Sequence, residues 1–210
     1  MPPDTALRKR RKEARPSELA AAALELFVEK GFAATRLEDI AARAGVSKGT
    51  LYLYFDSKDA LFKAVIREGI MPIMDEAESR VASYRGGSFE LLVAILRGCW
   101  ENLGGAARLS GIPKLIVSES RNFPEVARFY YENVIQRGRA LIGNALERGM
   151  NSGEFRRLEV EPCIDVALGP LFSLAIWQHS IIHCEIRRKR DPEAILRTHL
   201  EVLREGLMAR

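Results

Sequence analysis

The segment that decides the fold spans residues 35–55 and reads TRLEDIAARAGVSKGTLYLYF. Thr35 and Glu38 have the spacing of a capping box, which predicts that a short helix begins there. Ser47 carries the side chain of a helix N-cap and predicts a second short helix over residues 48–54. Two short helices joined by the turn AGVS have the dimensions of a helix-turn-helix, a motif whose second helix can enter the major groove of DNA.

On a helical wheel, the second of these helices has two different sides. Leu51 and Phe55 share the side that continues the apolar surface of the first helix, whereas Gly49, Thr50 and Leu53 lie on the opposite side. Glycine lowers the stability of so short a helix, and close approach to a DNA backbone or base edge would account for its presence. The alternative is a helical hairpin without a nucleic-acid partner, whose tyrosines are half-buried core residues.

The flanks of the same helix carry Lys48, Tyr52 and Tyr54. An ammonium group and two phenol hydroxyls are suited to contacts with phosphate oxygens. We therefore interpret this helix as a DNA-contacting element.

The rest of the chain predicts an all-α protein, because strand signals are scarce and helical periodicity continues to the end. We expect about nine helices. They cover residues 17–30, 35–44, 48–54, 57–83 with a kink at Pro72, 88–103, 113–120, 124–151, 162–186 with a kink at Gly169-Pro170, and 192–208. The expected domains are a flexible basic arm (1–16), a helix-turn-helix domain (17–56) and a helical effector-binding and dimerisation domain (57–210).

Charge is concentrated at the start of the chain. The 210 residues have a formal net charge of +4, and residues 1–16, with six basic and two acidic side chains, account for all of it. A basic arm on a neutral body suggests a polyanionic partner, although a solubilising tail would have the same composition.

Cysteine usage and hydropathy predict a cytoplasmic protein. The three cysteines are odd in number and lie in apolar surroundings, which argues against a disulfide framework. The most apolar stretch, residues 166–177, is shorter than the roughly 20 residues that a membrane-spanning helix needs. We therefore expect neither secretion nor a membrane partner.

A resemblance to a known family becomes visible at residues 17–67. Its motifs are Gly31-Phe32, Thr35, Ile40-Ala41, Gly45-Val46-Ser47-Lys48-Gly49-Thr50-Leu51-Tyr52, Tyr54-Phe55, Ser57-Lys58 and Leu61-Phe62. This stretch resembles the N-terminal domain of the tetracycline-repressor (TetR) family of bacterial transcriptional regulators. The resemblance implies an all-helical homodimer whose first three helices bind operator DNA, and it favours repression. It further implies that the fourth helix leads to a ligand-binding body and that the last two helices form the dimer interface.

Carried over position by position, the resemblance implies a set of DNA contacts. Phosphate contacts are expected from Thr35, Ser47, Tyr52, Tyr54 and Lys58, and groove contacts from Lys48, Gly49 and Thr50. Leu53 offers only apolar contact, for instance with a thymine methyl group. Arg36, next to Thr35, completes the predicted DNA-binding set.

The body resembles one broad subgroup of the family in Leu115-Ile116-Val117-Ser118-Glu119 and Phe123-Pro124-Glu125-Val126-Ala127. Members of that subgroup answer to diverse compounds, so the effector stays unidentified, and no cofactor is expected. We predict a small, largely apolar effector near the side chains Trp100, Glu119, Tyr130, Phe172 and Trp177. Glu119 would either recognise a cationic ligand or pair with a core arginine.

Two further predictions concern the last helices. Leucines 196, 200, 203 and 207 lie at spacings of three and four, which favours a homodimer through residues 162–186 and 192–208. His179 and His183, with Cys184 beside them, have a spacing that can hold a metal, but we favour polar contacts at a helical interface and predict no metal. The run Arg187–Arg190 is interpreted as a solvated helix end and not as a second nucleic-acid patch.

Competing classes of protein have less support. The sequence contains no nucleophile elbow, phosphate loop, His-Glu-x-x-His or dinucleotide-type glycine cluster, so an enzyme is not predicted. A sequence-blind architectural DNA-binding protein would not need the large apolar body.

Overall fold

The computed structural model describes residues 3–103, 109–180 and 191–209. Within these ranges the chain is helical, with a single isolated antiparallel bridge between Phe155 and Met208, which confirms the all-α prediction. The helices are α1 (Pro3–Lys30), α2 (Leu37–Arg43), α3 (Lys48–Tyr52), α4 (Lys58–Gly69), α5 (Met71–Ser83), α6 (Ser88–Leu103), α7 (Ile112–Glu119), α8 (Pro124–Tyr130), a π-helical turn (Tyr131–Ile135), α9 (Gln136–Ser152), α10 (Val160–His179) and α11 (Pro192–Leu207).

Several helix boundaries differ from the sequence prediction. Helix α1 begins at Pro3 and not at residue 17, because residues 5–15 consist mostly of good helix formers; the expected arm is therefore helical from Pro3 onward. Instead of one helix kinked at Pro72, α4 ends at Gly69 and α5 begins at Met71, with the proline in its first turn. Helix α10 continues through Pro170. The π-helical turn divides the helix predicted over 124–151.

The first compact unit contains α1–α4 together with most of α7 and all of α8, that is, the chain up to Pro72 and the segment Leu115–Tyr131. Phenylalanine rings form its centre: the Phe32 ring lies 4.9 Å from that of Phe27, 5.9 Å from that of Phe62 and 4.6 Å from that of Phe123, measured between centroids. The boundary expected at residue 56 therefore does not coincide with the packing, because the apolar face of α4 and the segment 115–131 complete the core around the helix-turn-helix.

The second unit contains α6 and α9–α11 with most of α5. Its core includes Leu92, Leu96, Ile142 and Leu146, and the four leucines of α11 are also buried in it. The stripe at 196, 200, 203 and 207 therefore packs inside its own subunit, so its assignment to a dimer interface is wrong. Asp191 caps α11, because its carboxylate accepts from the backbone N–H groups of Glu193 and Ala194 at 3.0 and 3.2 Å.

The apolar part of helix α10 is longer than the stretch 166–177 that the sequence analysis identified as the most apolar. Its 20 residues include an 18-residue window with a mean hydropathy of 1.4, which meets the length and composition of a membrane span, and only 28% of that window is buried. Its buried residues, among them Ile164, Leu171 and Leu174, face the core, whereas Val166 is 62% exposed. One side of α10 thus packs within its unit and another presents apolar surface.

Candidate nucleic-acid interface

The start of α2 does not have the predicted capping box. The N-cap residue is Arg36, which makes no side-chain cap hydrogen bond. Thr35 is instead buried, and its hydroxyl donates to the carbonyl oxygens of Gly31 at 2.7 Å and Leu26 at 3.1 Å. These bonds tie the α1–α2 loop to the end of α1. The Thr35 side chain is therefore occupied within the free protein, and the phosphate contact of this residue stays a prediction.

The start of α3 is built as predicted. Gly45 adopts a left-handed φ of +66° in the turn, and Ser47 Oγ accepts from the backbone N–H of Thr50 at 3.1 Å. The two hydroxyls also lie 2.8 Å apart. Leu51 anchors the helix from the inside and is fully buried. Buried Ile40 of α2 lies on the same core, so the turn holds α3 in a fixed orientation.

The two sides of α3 differ as the helical wheel predicts. Phe55, like Leu51, is buried, whereas Leu53 is 81% and Tyr52 46% exposed. Ser47, Lys48 and Gly49 are exposed as well, and Thr50 and Tyr54 are half-buried. The outer face therefore brings together most of the predicted contact residues, and exposed Arg36 lies at the start of α2.

Nothing in the free protein requires glycine at position 49. A Cβ atom added there would meet only Ser47 Oγ, at 3.8 Å, which is an ordinary van der Waals distance. Its backbone is helical, so the left-handed conformation that favours glycine is not involved either. The open space above Gly49 is compatible with close approach of a DNA groove.

Lys48 has an acidic partner that the sequence analysis assigned to another role. Its ammonium group forms an ion pair with the carboxylate of Glu38 on α2, and it lies 5.7 Å from the centroid of the Tyr52 ring. The hydrogen bond between them raises the pKa of Lys48 and lowers that of Glu38. Glu38 looked like a capping residue because of its spacing from Thr35, and no local signal identifies a partner ten positions along the chain.

Lys58 is half-buried, and its ammonium group has partners within the free protein. Its ammonium group donates to the carbonyl oxygens of Phe32 at 2.7 Å and Ala33 at 3.0 Å, and it lies over the Phe32 and Phe123 rings at 4.9 and 5.8 Å. Burial lowers the pKa of Lys58, against the opposing effect of Glu119. In the free protein Lys58 fixes the α1–α2 loop, and its phosphate contact stays a prediction.

Glu119 contributes to the same loop and not to an effector pocket in the second unit. Its carboxylate accepts from the backbone N–H of Ala33 at 3.3 Å, and its negative charge acts on Lys58. Among the described residues the carboxylate thus has a backbone amide and a nearby lysine as partners, and not the core arginine. Sequence reasoning missed this because the two bonded residues lie 86 positions apart.

The other predicted pocket residues are divided between the two units. Tyr130 is buried in the first unit, whereas Trp100, Phe172 and Trp177 belong to the second. Trp100 lies in the core and donates from Nε1 to Glu193 at 3.0 Å. The effector site predicted at these five side chains therefore stays a prediction. A cleft of about 400 Å³ opens elsewhere in the second unit, between Val81, Ala82, Tyr84, Arg85, Leu91, Asn144 and Arg148.

The predicted histidine pair is described only in part. His179 lies 2.8 Å from the hydroxyl of Ser110, which fits a polar contact at a helical interface. His183, Cys184 and the run 187–190 lie outside the described residues. Among the residues that are described, no group of three His, Cys, Asp or Glu side chains could hold a metal ion.

Comparison with known proteins identifies relatives that share this N-terminal unit. A profile described as "Bacterial regulatory proteins, tetR family" matches residues 19–65. RutR of Escherichia coli K12, an HTH-type transcriptional regulator, is 33% identical over 126 residues, which are 60% of this chain and 50% of RutR. The matched region thus spans about half the length of that relative.

Two further proteins are similar over more of their length. The HTH-type transcriptional repressor KstR2 of Rhodococcus jostii RHA1 is 30% identical over 146 residues, which are 69% of this chain and 70% of KstR2. The structure of FadR from Bacillus subtilis in complex with stearoyl-CoA is 21% identical, with a TM-score of 0.73 over 90% of this chain and 98% of FadR. The FadR comparison shows a shared fold. From the profile match and the extent of the similarity to KstR2, the chain belongs to the TetR family of bacterial regulatory proteins.

Proposed function

We propose that the protein is a sequence-specific DNA-binding transcriptional regulator, a repressor that a small-molecule effector releases from its operator. The observation that carries the proposal is the outer face of α3. Lys48, Gly49, Tyr52 and Leu53 are exposed on a helix that buried Leu51 holds in place. A rigid helix with a bare outer face and flanking polar groups has the form that major-groove recognition needs.

Selection of DNA ligands from a random duplex pool by the purified full chain tests this function. We expect enrichment of a palindromic sequence, because dimers of helix-turn-helix proteins read two half-sites about one helical turn apart. At physiological salt the enriched duplex should bind at least about 10³-fold more tightly than random DNA. Equal affinity for both would support the architectural alternative, and failure to bind either duplex would contradict DNA binding altogether.

The second part of the proposal is a homodimer through the last two helices. Val166 of α10 and Val202 of α11 are 62% and 64% exposed, and the former lies on a helix with a largely apolar composition. Covering such surface removes apolar area from water. Val166→Asp with Val202→Asp should shift the sedimenting species toward the 23.5 kDa monomer without loss of helical circular dichroism. A wild-type chain that already sediments at 23.5 kDa at micromolar concentration would contradict the homodimer.

The third part is the effector, for which the cleft of about 400 Å³ is the candidate site. Val81, Ala82 and Leu91 supply apolar lining, and the guanidinium groups of Arg85 and Arg148 supply positive charge. A molecule with an apolar body and an anionic group suits such a lining. The acyl-CoA in the FadR complex has this chemistry, although the effector of this chain need not be the same compound.

Release from DNA tests the effector site. Stearate and stearoyl-CoA are titrated into the complex of the protein with its selected duplex, in wild type and in Arg148→Gln. If a ligand favours the form that does not bind DNA, operator affinity should fall by about 5- to 150-fold, and the variant should need more ligand. Release with identical ligand dependence in wild type and variant would exclude this cleft. We further propose a cytoplasmic location, with neither a metal nor a catalytic activity.

A further inference from the structure

We propose that Glu38 is a specificity-determining residue of the DNA-binding surface, because its ion pair withholds Lys48 from the phosphates of arbitrary DNA. The inference rests on the proposed function and concerns the same surface. Its expected effect is a lower affinity for non-specific DNA, with little loss for the operator. The sequence places the two residues on different helices of the motif, and the structure brings their charges together.

The geometry places this pair where DNA would lie. Glu38 is in the first turn of α2, and Lys48 is the first residue of α3. Both side chains are open to solvent, with 48% of the Glu38 and 58% of the Lys48 side chain exposed. In a docked helix-turn-helix the first helix crosses the DNA backbone and the beginning of the second contacts base edges. The carboxylate would therefore lie close to both phosphates and bases.

Fold stability does not account for the ion pair. Exposed pairs of this kind contribute little to the free energy of unfolding. The α2–α3 turn is already held by the bond from the Val46 N–H to the Ala41 carbonyl at 2.9 Å and by buried Ile40 and Leu51. We therefore expect the ion pair to affect the binding of DNA and not the stability of the fold.

Phosphates and base edges differ in what they offer to the pair. A phosphate is a partner for the Lys48 ammonium only, and its negative charge repels the Glu38 carboxylate. A G·C pair in the major groove offers acceptors on guanine to the ammonium and the N4 amino donor of cytosine to the carboxylate. The pair can thus stay satisfied on a matching operator but must be broken for a phosphate contact. We expect a G·C pair at the operator position that α3 reads with Lys48.

A matched control is available on the same helix. Asp39 follows Glu38 directly, has a similarly exposed side chain (40%), and pairs with Lys30 of α1 at 3.4 Å. Asp39→Asn therefore removes the same formal charge as Glu38→Gln without releasing Lys48. Any difference between the two variants measures the pair and not the net charge of the protein.

The experiment measures dissociation constants of the full-length chain for its selected operator and for a random duplex across a range of salt concentrations. Glu38→Gln should bind the random duplex more tightly, and its log–log salt dependence should steepen by about 0.9 for each phosphate contact that the freed lysine gains. The ratio of operator to random affinity should fall about fivefold or more, which corresponds to one lost base contact. Asp39→Asn should leave both the ratio and the slope close to wild type.

A second set of variants, made in a Lys48→Gln protein, distinguishes the contribution of Lys48 from that of the rest of the surface. If the inference is right, Glu38→Gln no longer steepens the salt dependence of random-duplex binding in a Lys48→Gln protein, because no lysine remains to be released, and the ratio changes only by the contact of Glu38 itself. Equal behaviour of Glu38→Gln and Asp39→Asn, or a salt slope that steepens equally without Lys48, overturns the inference while the proposed function stands. A wild-type protein that fails to prefer its selected duplex over random DNA contradicts the function itself, and the inference with it.

Discussion

Gly49→Ala should make the free protein more stable and its operator complex weaker. The added methyl group has room in the free chain, since its nearest neighbour would be Ser47 Oγ at 3.8 Å. Alanine in place of glycine in a helix stabilises a protein by about 0.5–1 kcal/mol. For a chain of this size, that gain corresponds to a rise in Tm of about 1–4 °C.

The effect on DNA binding should have the opposite sign. If the bare backbone at position 49 approaches a groove edge closely, a methyl group there separates the two surfaces. Loss of a base contact of this kind costs about 1–3 kcal/mol, so operator affinity should fall about 5- to 150-fold. Random duplex should bind nearly as before, because phosphate contacts from the flanks of α3 remain.

Thermal unfolding followed by circular dichroism and binding followed by fluorescence anisotropy measure the two effects. Gly138→Ala is the matched control, since this glycine is also in the first turn of a helix and a Cβ there meets no atom within 4 Å. The control should share the gain in Tm without a change in DNA affinity. Unchanged operator affinity in Gly49→Ala would refute the argument that glycine serves DNA approach, and a lower Tm would show that the fold itself needs it.

Three other substitutions test the packing and the electrostatics. Thr35→Val leaves two carbonyl acceptors without their hydroxyl donor and should lower the free energy of unfolding by about 1–3 kcal/mol in urea titrations, with an unchanged salt slope of DNA binding. Leu200→Ala opens a cavity in the core of the subunit and should cost about 2–5 kcal/mol in the same assay, whereas loss of dimer without loss of stability would show that this leucine lies at an interface. Burial alone would raise the pKa of Glu154, but the backbone N–H groups of Phe89 and Ser88 lower it overall from 4.5. Its stabilising contribution is therefore complete above that pH and is lost below it, and Glu154→Gln should flatten the acid limb of a stability–pH curve.

Local patterns predicted the part of the DNA-binding surface that local interactions build. Ser47 caps α3 across three residues, and the alternation of buried Leu51 with exposed Leu53 follows from helical geometry alone. Each of these features depends on neighbours within one turn, which the sequence displays directly. The placement of Gly49 on the open side was predictable for the same reason.

The contacts that the sequence did not reveal share a dependence on distant partners. Lys58 bonds to a carbonyl 26 positions away, and Glu119 to an amide 86 positions away. A family motif records that a lysine is present but not whether it meets a phosphate or its own backbone. Similarly, the leucine stripe around Leu200 has the same pattern whether its own subunit or a second copy covers it. Only the packing distinguishes these cases.

The inclusion of Leu115–Tyr131 in the N-terminal unit has a consequence for the engineering of chimeric regulators. A fusion that takes only the first 56 or 72 residues would leave the Phe32 ring without Phe123 and the Ala33 amide without the Glu119 carboxylate. In such a chimera, residues of the other protein would replace Phe123 and Glu119 at these two contacts. Exchange of operator preference between members of this family should therefore transfer two discontinuous pieces of chain together, the N-terminal helices and this later segment.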